Sequence, residues 1–265
     1  MDITFPYYIN LGLVEIHPHA FFEIMGWIVG LSLMVFLRKK NDYFTIEQRS
    51  TLILAATLGA IFGAKILSWI QHANYTIDAL YNDPVLLVGG KTMVGGLLGG
   101  LFSVEVAKKF LGITKSTGDV YVYPLIVSIS IGRIGCFFTG LDDATYGIAS
   151  DLPWAIDFGD GISRHPTQLY EILFLIILGL WIHKYSKNNL NIKSGDRFRF
   201  FMIGYLAWRL LIDGLKPADF EVLFLTPIQW ACIGGLIYYH WNDFITYAKY
   251  CRKYAINHFF NRGPV

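Results

Sequence analysis

The sequence predicts an all-α integral membrane protein with seven transmembrane helices, an N-terminus outside the membrane and a cytoplasmic C-terminus. Three observations support this fold class: an apolar composition, seven apolar stretches of helical length, and basic residues that alternate between successive loops. Of the 265 residues, 54% are hydrophobic and only 16% are charged, whereas roughly 25% are charged in an average soluble domain. The formal net charge of +2 is too small to indicate a nucleic-acid partner.

Each apolar stretch is long enough to cross a bilayer as a helix. A hydrocarbon core about 30 Å thick requires about 20 mostly apolar helical residues, because lipid offers no partner for an unpaired backbone amide. The seven predicted spans are residues 20–37, 51–70, 85–111, 120–139, 169–184, 198–215 and 227–248. Since no repeat or low-complexity tract divides them, residues 1–265 are predicted to form a single domain.

Basic residues alternate between the loops and thereby predict the orientation. The loops after spans one, three, five and seven are rich in Lys and Arg, while the loop after span two has none, the loop after span four has only Arg164 and the loop after span six only Lys216. Cytoplasmic loops carry the excess of basic residues, so the N-terminus is predicted to be outside. The first residues lack the basic region and cleavage site of a signal peptide, and the first span is expected to be retained.

The longest loop, residues 140–167, is predicted to lie outside the membrane. It contains Gly, Pro and Asp residues together with an amphipathic stretch at residues 152–156. Loops of this length are uncommon unless they are functional. The loop is therefore a candidate external lid or interfacial segment.

Polar and ionisable side chains inside the predicted spans gather at one depth, near the outer surface. Such a residue is costly within a span and is a functional candidate by default. For Lys65 and Lys91, side chains that extend from helix ends to the interface are an equally good explanation. Arg209 and Asp213, four residues apart, are also explained by an internal ion pair. The residues at this depth are His17, His19, Glu23, Lys65, Lys91, Arg133, Gln168, Glu171, Arg209 and Asp213.

Arg133 is the strongest functional candidate, because Gly132 and Gly135 flank it and small residues allow a helix or a ligand to approach closely. An arginine fork binds phosphate oxygens in pairs and keeps its charge when buried. A phospholipid headgroup of the outer leaflet would supply that phosphate. The glycine-rich run at residues 88–100, which includes Gly95 and Gly96, either lets backbone approach such a ligand or marks tight helix packing.

The densest polar segment is residues 164–171, with the sequence RHPTQLYE. Pro166 suits the start of a helix, and Gln168 and Glu171 then lie on one face of its first turns. Glu171 is predicted to be either a general base or a counter-ion for Arg133, and the sequence leaves both alternatives open.

These motifs resemble the prolipoprotein diacylglyceryl transferases over nearly the whole chain. The GRIG sequence at residues 132–135 resembles the opening of that family's signature. The LPWA sequence at 152–155 and the segment 164–171 resemble its external loop and following helix, and Arg209 with Asp213 resembles its late arginine–acid pair. The resemblance implies a multi-pass enzyme of the bacterial cytoplasmic (inner) membrane with seven spans and an external N-terminus.

In that family, the thiol of a lipobox cysteine on a secreted prolipoprotein displaces glycerol phosphate from phosphatidylglycerol and receives the diacylglyceryl group. The resemblance implies that Arg133 and Arg209 stabilise the departing phosphate, while Gln168 and Glu171 orient the headgroup or the arginines. The expected partners are phosphatidylglycerol, membrane lipid, and a secreted prolipoprotein or another extracytoplasmic acceptor. The candidate catalytic residues are Arg133, Arg209, Glu171 and His165, and the candidate headgroup-binding residues are Arg133, Gln168, Arg209, Asp213, Lys91, Gly95 and Gly96.

The chain departs from the family's pattern on the side that activates the acceptor. Val94 stands where the family usually has a histidine, which is the favoured base, and a valine cannot take a proton. Cys136 and Thr139 replace asparagines of the signature, and Leu141 replaces an acidic residue. A histidine or carboxylate elsewhere would have to act as base. The candidates are His17, His19, His165, Asp142 and Asp143.

Three alternatives follow from this departure. The chain is a paralogue that acts on another acceptor, a catalytically silent lipid-binding protein, or, least favoured, a photoreceptor or transporter. The last predicted span has no lysine for a retinal, and the polar residues stop in the outer half of the membrane. Cys136 is either a nucleophile or a small apolar filler. The cysteine spacing predicts no disulfide framework and no metal site, and no cofactor is expected.

Overall fold

The computed structural model describes residues 5–10, 12, 15–38, 44–218 and 220–241, which form eight helices and two short β-hairpins. The first hairpin pairs β1 (Ile9–Asn10) with β2 (Glu15–Ile16), and the second pairs β3 (Ile156–Asp157) with β4 (Ser163–Arg164). The helices are α1 (Pro18–Leu37), α2 (Ile46–Gln71), α3 (Ala73–Asn82), α4 (Met93–Phe110), α5 (Val122–Thr139), α6 (Thr167–Asn188), α7 (Asp196–Ile212) and α8 (227–241). The last part of the seventh predicted span, together with Cys251, lies outside the described residues.

Four of the described helices are long and apolar enough to cross a membrane. They are Pro18–Leu37, Ile46–Gln71, Asp119–Asp142, which is α5 with its flanking 3-10 turns, and Thr167–Asn188. Their outward faces expose large apolar side chains, among them Trp27 and Phe36 of α1. Exposed apolar surface of this extent is solvated by lipid rather than by water. The chain is therefore a helical membrane protein.

The third predicted span begins later in the structure than the sequence analysis expected. The prediction placed it at residues 85–111, but a 3-10 turn covers Pro84–Val88 and α4 begins only at Met93. Gly90 has a left-handed backbone with φ of 67°, which a continuous helix does not tolerate. The Lys65 ammonium of α2 donates to the carbonyl of Val88, and to those of Gly89 and Gly90 at 2.8 Å each. These carbonyls therefore point to Lys65 and not along a helix.

Glycines bring α2 and α4 into direct backbone contact. A Cβ placed on Gly63 of α2 would lie 2.3 Å from the carbonyl oxygen of Gly95, and one on Gly99 would lie 2.2 Å from a carbonyl oxygen of α2. Gly96 faces the same helix at ordinary contact distance. Close approach of this kind is the usual role of small residues between membrane helices. The structure therefore favours the packing alternative for Gly95 and Gly96, and their headgroup role stays a prediction.

We expect Gly99→Ala to lower the free energy of unfolding by about 1–3 kcal/mol, the usual cost of overpacking. The added methyl group would separate α2 from α4. Thermal unfolding in detergent measures the effect, and Gly234→Ala is the matched control because a Cβ there meets nothing within 4 Å. Equal melting temperatures for the two variants would contradict the packing role.

The external loop is folded and is attached to the helical bundle. The Asp157 carboxylate accepts hydrogen bonds of 2.8–3.1 Å from the backbone amides of Gly159, Asp160 and Gly161. These bonds shape the turn of the second hairpin. Phe158 is fully buried, and the amide of Ile148 donates to the Leu215 carbonyl after α7 at 2.8 Å. The loop is thus tied to the end of the bundle, while its role as a lid stays a prediction.

The apolar core packs four helices, α1, α5, α6 and α7, against one another. α5 packs against α1 and α6, and α6 packs against α7. The residues buried between them include Leu175 of α6 and Phe201, Tyr205 and Leu206 of α7. Because α5 and α7 end where α6 begins, the polar residues at these helix ends lie at the same end of the bundle.

Candidate active site

A buried ionic group, here called the arginine cluster, joins Arg133 of α5, Glu171 of α6 and Arg209 of α7. Arg133 Nε lies 3.0 Å from Glu171 Oε2, and Arg209 Nη1 lies 3.6 Å from the same oxygen. The three residues are 7%, 1% and 4% exposed. Buried charges require partners, so one carboxylate holds two guanidinium groups in place. The counter-ion alternative for Glu171 therefore fits this geometry better than the general-base alternative.

Further polar groups complete the surroundings of the arginine cluster. The Tyr205 hydroxyl donates to Glu171 Oε1 at 2.6 Å, and Arg209 Nη2 donates to Asp213 Oδ1 at 2.9 Å. The Thr226 hydroxyl donates to the other Asp213 oxygen at 2.9 Å. The structure confirms the ion pair between Arg209 and Asp213. The negative charges of Glu171 and Asp213 cancel the positive charges of Arg133 and Arg209. A net positive charge at the arginine cluster must therefore come from another residue.

Lys216 is that residue, and the sequence analysis treated it only as a loop lysine. It follows the 3-10 turn Asp213–Leu215, and its Nζ lies 4.0 Å from Asp213 Oδ1. Burial, followed by the positive charges of Arg209 and Arg133, lowers the pKa of Lys216 to about 7. Its spacing of three residues from Asp213 is the only local signal that could have identified it. Near neutral pH, Lys216 therefore carries a positive charge when it is protonated and no charge when it is not.

Gln168 is buried one turn before Glu171, and no described residue hydrogen-bonds to its side-chain amide. It precedes Glu171 by three residues on α6 and is 1% exposed. Neither its amide oxygen nor its amide nitrogen has a hydrogen bond among the described residues. A buried amide without a partner costs about 1–3 kcal/mol, and such exceptions call for an explanation. The side chain is therefore suited to a polar ligand, and its role in headgroup binding stays a prediction.

A second group, here called the histidine cluster, consists of His19 of α1, Cys136 of α5 and Asp143 after α5. His19 Nδ1 lies 3.2 Å from Asp143 Oδ2 and 3.9 Å from Cys136 Sγ. Arg133 Nη1 donates to Cys136 Sγ at 3.7 Å, which joins the two clusters. Burial by itself would raise the pKa of Asp143, but hydrogen bonds with His19 and Cys136 outweigh it and keep that pKa below its usual value.

Glu23 and Lys91 extend the histidine cluster toward α4. Glu23 Oε2 lies 3.7 Å from His19 Nε2, and the Lys91 ammonium forms an ion pair with the other oxygen of Glu23. Lys91 was predicted to bind the headgroup. In the structure its ion pair lies on the histidine side of the site, and its role in headgroup binding stays a prediction.

The remaining candidate bases lie apart from both clusters. His17 caps the start of α1, and Asp142 is exposed at the end of a 3-10 turn. His165 Nδ1 lies 3.2 Å from the Tyr170 hydroxyl, which accepts a bond from Trp154 Nε1 at 2.7 Å in the external loop. Apart from the bond that His17 Nδ1 accepts from the backbone amide of His19 at 3.3 Å, no contact among the described residues joins these three side chains to either cluster. Among the predicted bases, His19 and Asp143 are the two that the fold brings to the site.

Comparison with known proteins agrees with these motifs. A family model described as "Prolipoprotein diacylglyceryl transferase" matches residues 6–241. Three relatives carry the name phosphatidylglycerol--prolipoprotein diacylglyceryl transferase. The relative from Prochlorococcus marinus subsp. pastoris is 29% identical over 86% of this chain and 84% of its own length. The relative from Methylococcus capsulatus is 27% identical, with 88% and 89% covered, and that from Vibrio vulnificus strain YJ016 is 29% identical, with 82% and 80% covered. With most of its length matched and the arginine cluster in place, this chain belongs to the prolipoprotein diacylglyceryl transferase family.

Proposed function

We propose that this chain transfers the diacylglyceryl group of phosphatidylglycerol to a cysteine thiol of a secreted prolipoprotein, at the outer face of the bacterial cytoplasmic membrane. The observation that carries the proposal is the arginine cluster, in which two guanidinium groups share one carboxylate at the end of an apolar bundle. The names of the relatives supply the donor and the acceptor. A lipid whose tails lie in the membrane brings its phosphate to this depth.

The reaction requires stabilisation of a phosphate that gains charge. The acceptor thiol gives its proton to a base, and its sulfur attacks the carbon of the diacylglyceryl group that is bonded to the phosphate oxygen. A C–S bond forms, and the C–O bond breaks with its electron pair leaving on glycerol phosphate. The phosphate thereby passes from one negative charge toward two. Arg133, Arg209 and protonated Lys216 stabilise the transition state, in which this charge develops, more strongly than they stabilise the ground state. That difference accelerates the reaction. The Gln168 amide supplies a further donor.

The same proposal includes seven spans with an external N-terminus. The spans are α1, α2, α4, α5, α6, α7 and α8, and α3 lies at the outer surface. Two facts support this arrangement. Lys108 and Lys109 occupy the last turn of α4, as expected at a cytoplasmic helix end. The site residues come from the starts of α1 and α6 and from the ends of α5 and α7, which lie on one side of the membrane under this topology.

Purified protein, phosphatidylglycerol labelled in its acyl chains and a lipobox peptide test the reaction. We expect label on the peptide cysteine and release of glycerol phosphate in equal amounts. Absence of lipid consumption with every acceptor tried would overturn the enzymatic proposal. A peptide with serine in place of the acceptor cysteine is the control.

A paralogue that uses a different acceptor is the second candidate function, and the residue at position 94 favours it. Val94 is fully buried in the apolar core, so nothing at that position can accept a proton. Consumption of phosphatidylglycerol without labelling of the peptide would support this candidate. Binding of the lipid without turnover would instead support a catalytically silent protein.

The pH dependence of the reaction is expected to follow Lys216. Since the pKa of Lys216 is about 7, the lysine is charged below that pH and neutral above it. Phosphatidylglycerol is a phosphodiester and keeps its charge over this range. We expect kcat/KM for the lipid to fall about tenfold as the pH rises through 7, the worth of one charged hydrogen bond. Initial rates over this pH range in Lys216→Met, with Lys109→Met as control, test the assignment of the decline to Lys216. A decline in Lys216→Met as large as that of the unaltered protein would contradict the assignment.

A further inference from the structure

We propose that the histidine cluster, His19, Cys136 and Asp143, is a binding site for a divalent transition-metal ion, and that the ion is Zn²⁺. The three residues offer an imidazole nitrogen, a thiolate sulfur and a carboxylate oxygen, and these atoms all lie within 4.8 Å of one another. Spacing in the sequence could not reveal the site, because its ligands come from α1, α5 and the segment after α5.

Two distances within the cluster are close to those around a tetrahedral ion, and all three ligand atoms lie within 4.8 Å of one another. Zinc binds nitrogen and oxygen at about 2.0 Å and sulfur at about 2.3 Å, so its ligand atoms lie about 3.3–3.7 Å apart. His19 Nδ1 lies 3.2 Å from Asp143 Oδ2 and 3.9 Å from Cys136 Sγ. Small side-chain adjustments would bring all three atoms to one ion.

One ring nitrogen faces both acidic groups, and a cation satisfies this arrangement more fully than a proton. Nδ1 of His19 carries either one hydrogen or one lone pair. A single hydrogen on Nδ1 is directed at Asp143 or at Cys136 and not well at both, while Asp143 has a further hydrogen bond with Cys136. An ion at the common point accepts the nitrogen lone pair, the thiolate and the carboxylate together. A thiolate and an imidazole are the donors that select zinc over magnesium or calcium.

The surroundings of His19 provide an independent observation. A histidine that ligates a metal usually directs its other ring nitrogen to a carboxylate, which orients the ring. His19 Nε2 faces Glu23 Oε2 at 3.7 Å, and Lys91 holds the Glu23 carboxylate from the other side. Glu23 and Lys91 thus lie where outer-shell partners of the proposed metal site would be expected.

The cluster also leaves room for a fourth ligand. The side chains of His19 and Asp143 are 33% and 13% exposed, so one side of the cluster is open. Three protein ligands with one open position are typical of a catalytic zinc site rather than a structural one.

The open position gives the metal a role that rests on the proposed function. His19, Cys136 and Asp143 would hold the ion, whose open position would take the sulfur of an entering acceptor thiol and lower its pKa, so that the thiol would lose its proton to solvent. Metal ions deprotonate a coordinated thiol in this way. A lipid held by Arg133 would lie close to such an acceptor, since Arg133 Nη1 is 3.7 Å from Cys136 Sγ, one of the proposed ligands. The ion would thus perform the task for which Val94 is unsuited.

Metal analysis of the purified protein tests the site directly. Protein without a histidine tag is dialysed against buffered Zn²⁺, and zinc is counted by mass spectrometry. We expect about one zinc ion per chain. Cys136→Ser and Asp143→Asn should weaken zinc binding at least as much as the about 10–100-fold caused by outer-shell changes. Cys232→Ala is the matched control, because Cys232 is a free cysteine in the apolar core.

Substitution with Co²⁺ guards against misfolding of the variants. Unaltered protein with Co²⁺ should show a thiolate-to-cobalt absorption band that disappears on addition of Zn²⁺. Zinc content that is equal in unaltered protein and Cys136→Ser, or absence of the band, would overturn the metal site and leave the proposed function intact. Zinc binding without consumption of phosphatidylglycerol would instead count against the proposed function alone.

Discussion

Replacing Arg133 by lysine is expected to lower the turnover of phosphatidylglycerol by at least about 100-fold, the usual effect of removing one preorganised donor. The Arg133 guanidinium contacts Glu171 through Nε and Cys136 through Nη1. Lysine keeps the charge but presents one nitrogen, which cannot reach both groups or bind two phosphate oxygens. Initial rates over a range of lipid concentrations separate the effect on kcat from that on KM, and the main loss is expected in kcat.

Arg164→Lys is the matched control for this substitution. Arg164 also makes a two-pronged contact, with both oxygens of Asp160 at 2.6 and 2.7 Å, but it does so in the external hairpin. We expect its activity to stay within about twofold of the unaltered protein, because Asp160 is exposed to solvent and ion pairs at the surface contribute little. If Arg133→Lys retained more than a tenth of the activity, the arginine cluster would not be the phosphate site.

Glu171→Gln is expected to produce the largest loss of stability. The substitution leaves the guanidinium groups of Arg133 and Arg209 buried without their shared anion. Removal of one partner from a buried ionic group costs about 3–5 kcal/mol. For a chain of this size that corresponds to a fall of about 10 °C in the melting temperature. Thermal unfolding in detergent measures the shift, and Glu105→Gln is the control, since Glu105 pairs with Lys108 at 2.8 Å but is 41% exposed.

Added lipid distinguishes a ligand site from a purely structural ion cluster. If the two arginines bind the headgroup, the phosphate of phosphatidylglycerol partly replaces the missing carboxylate. We therefore expect phosphatidylglycerol to raise the melting temperature of Glu171→Gln by more than it raises that of the unaltered protein, whereas an uncharged diacylglycerol has equal effects on both. Equal stabilisation by the two lipids would show that the cluster serves only to hold the helices together.

Much of the fold and the donor side of the site was predictable from local sequence. Apolar runs predicted α1, α2, α5 and α6, because a run of about 20 apolar residues is a local property of the sequence and is by itself what a membrane span requires. Arg133 was likewise identifiable, since a charge within an apolar run stands out without knowledge of its neighbours. The error at the start of α4 arose from a distant contact, the bonds from Lys65 to the carbonyls before Met93.

The acceptor side and the charge balance of the site depended on packing between distant segments. His19 meets Cys136 and Asp143 across 117 and 124 residues, and no spacing rule predicts such a meeting. Lys216 becomes a neutral-pH group only because the bundle buries it near Arg209. Hydrophobic periodicity reports how each segment meets its solvent, whereas the distances among ligands and charges are set by how the helices pack. The sequence therefore predicted a lipid-binding membrane enzyme, and the folded chain revealed the histidine cluster beside the arginine cluster.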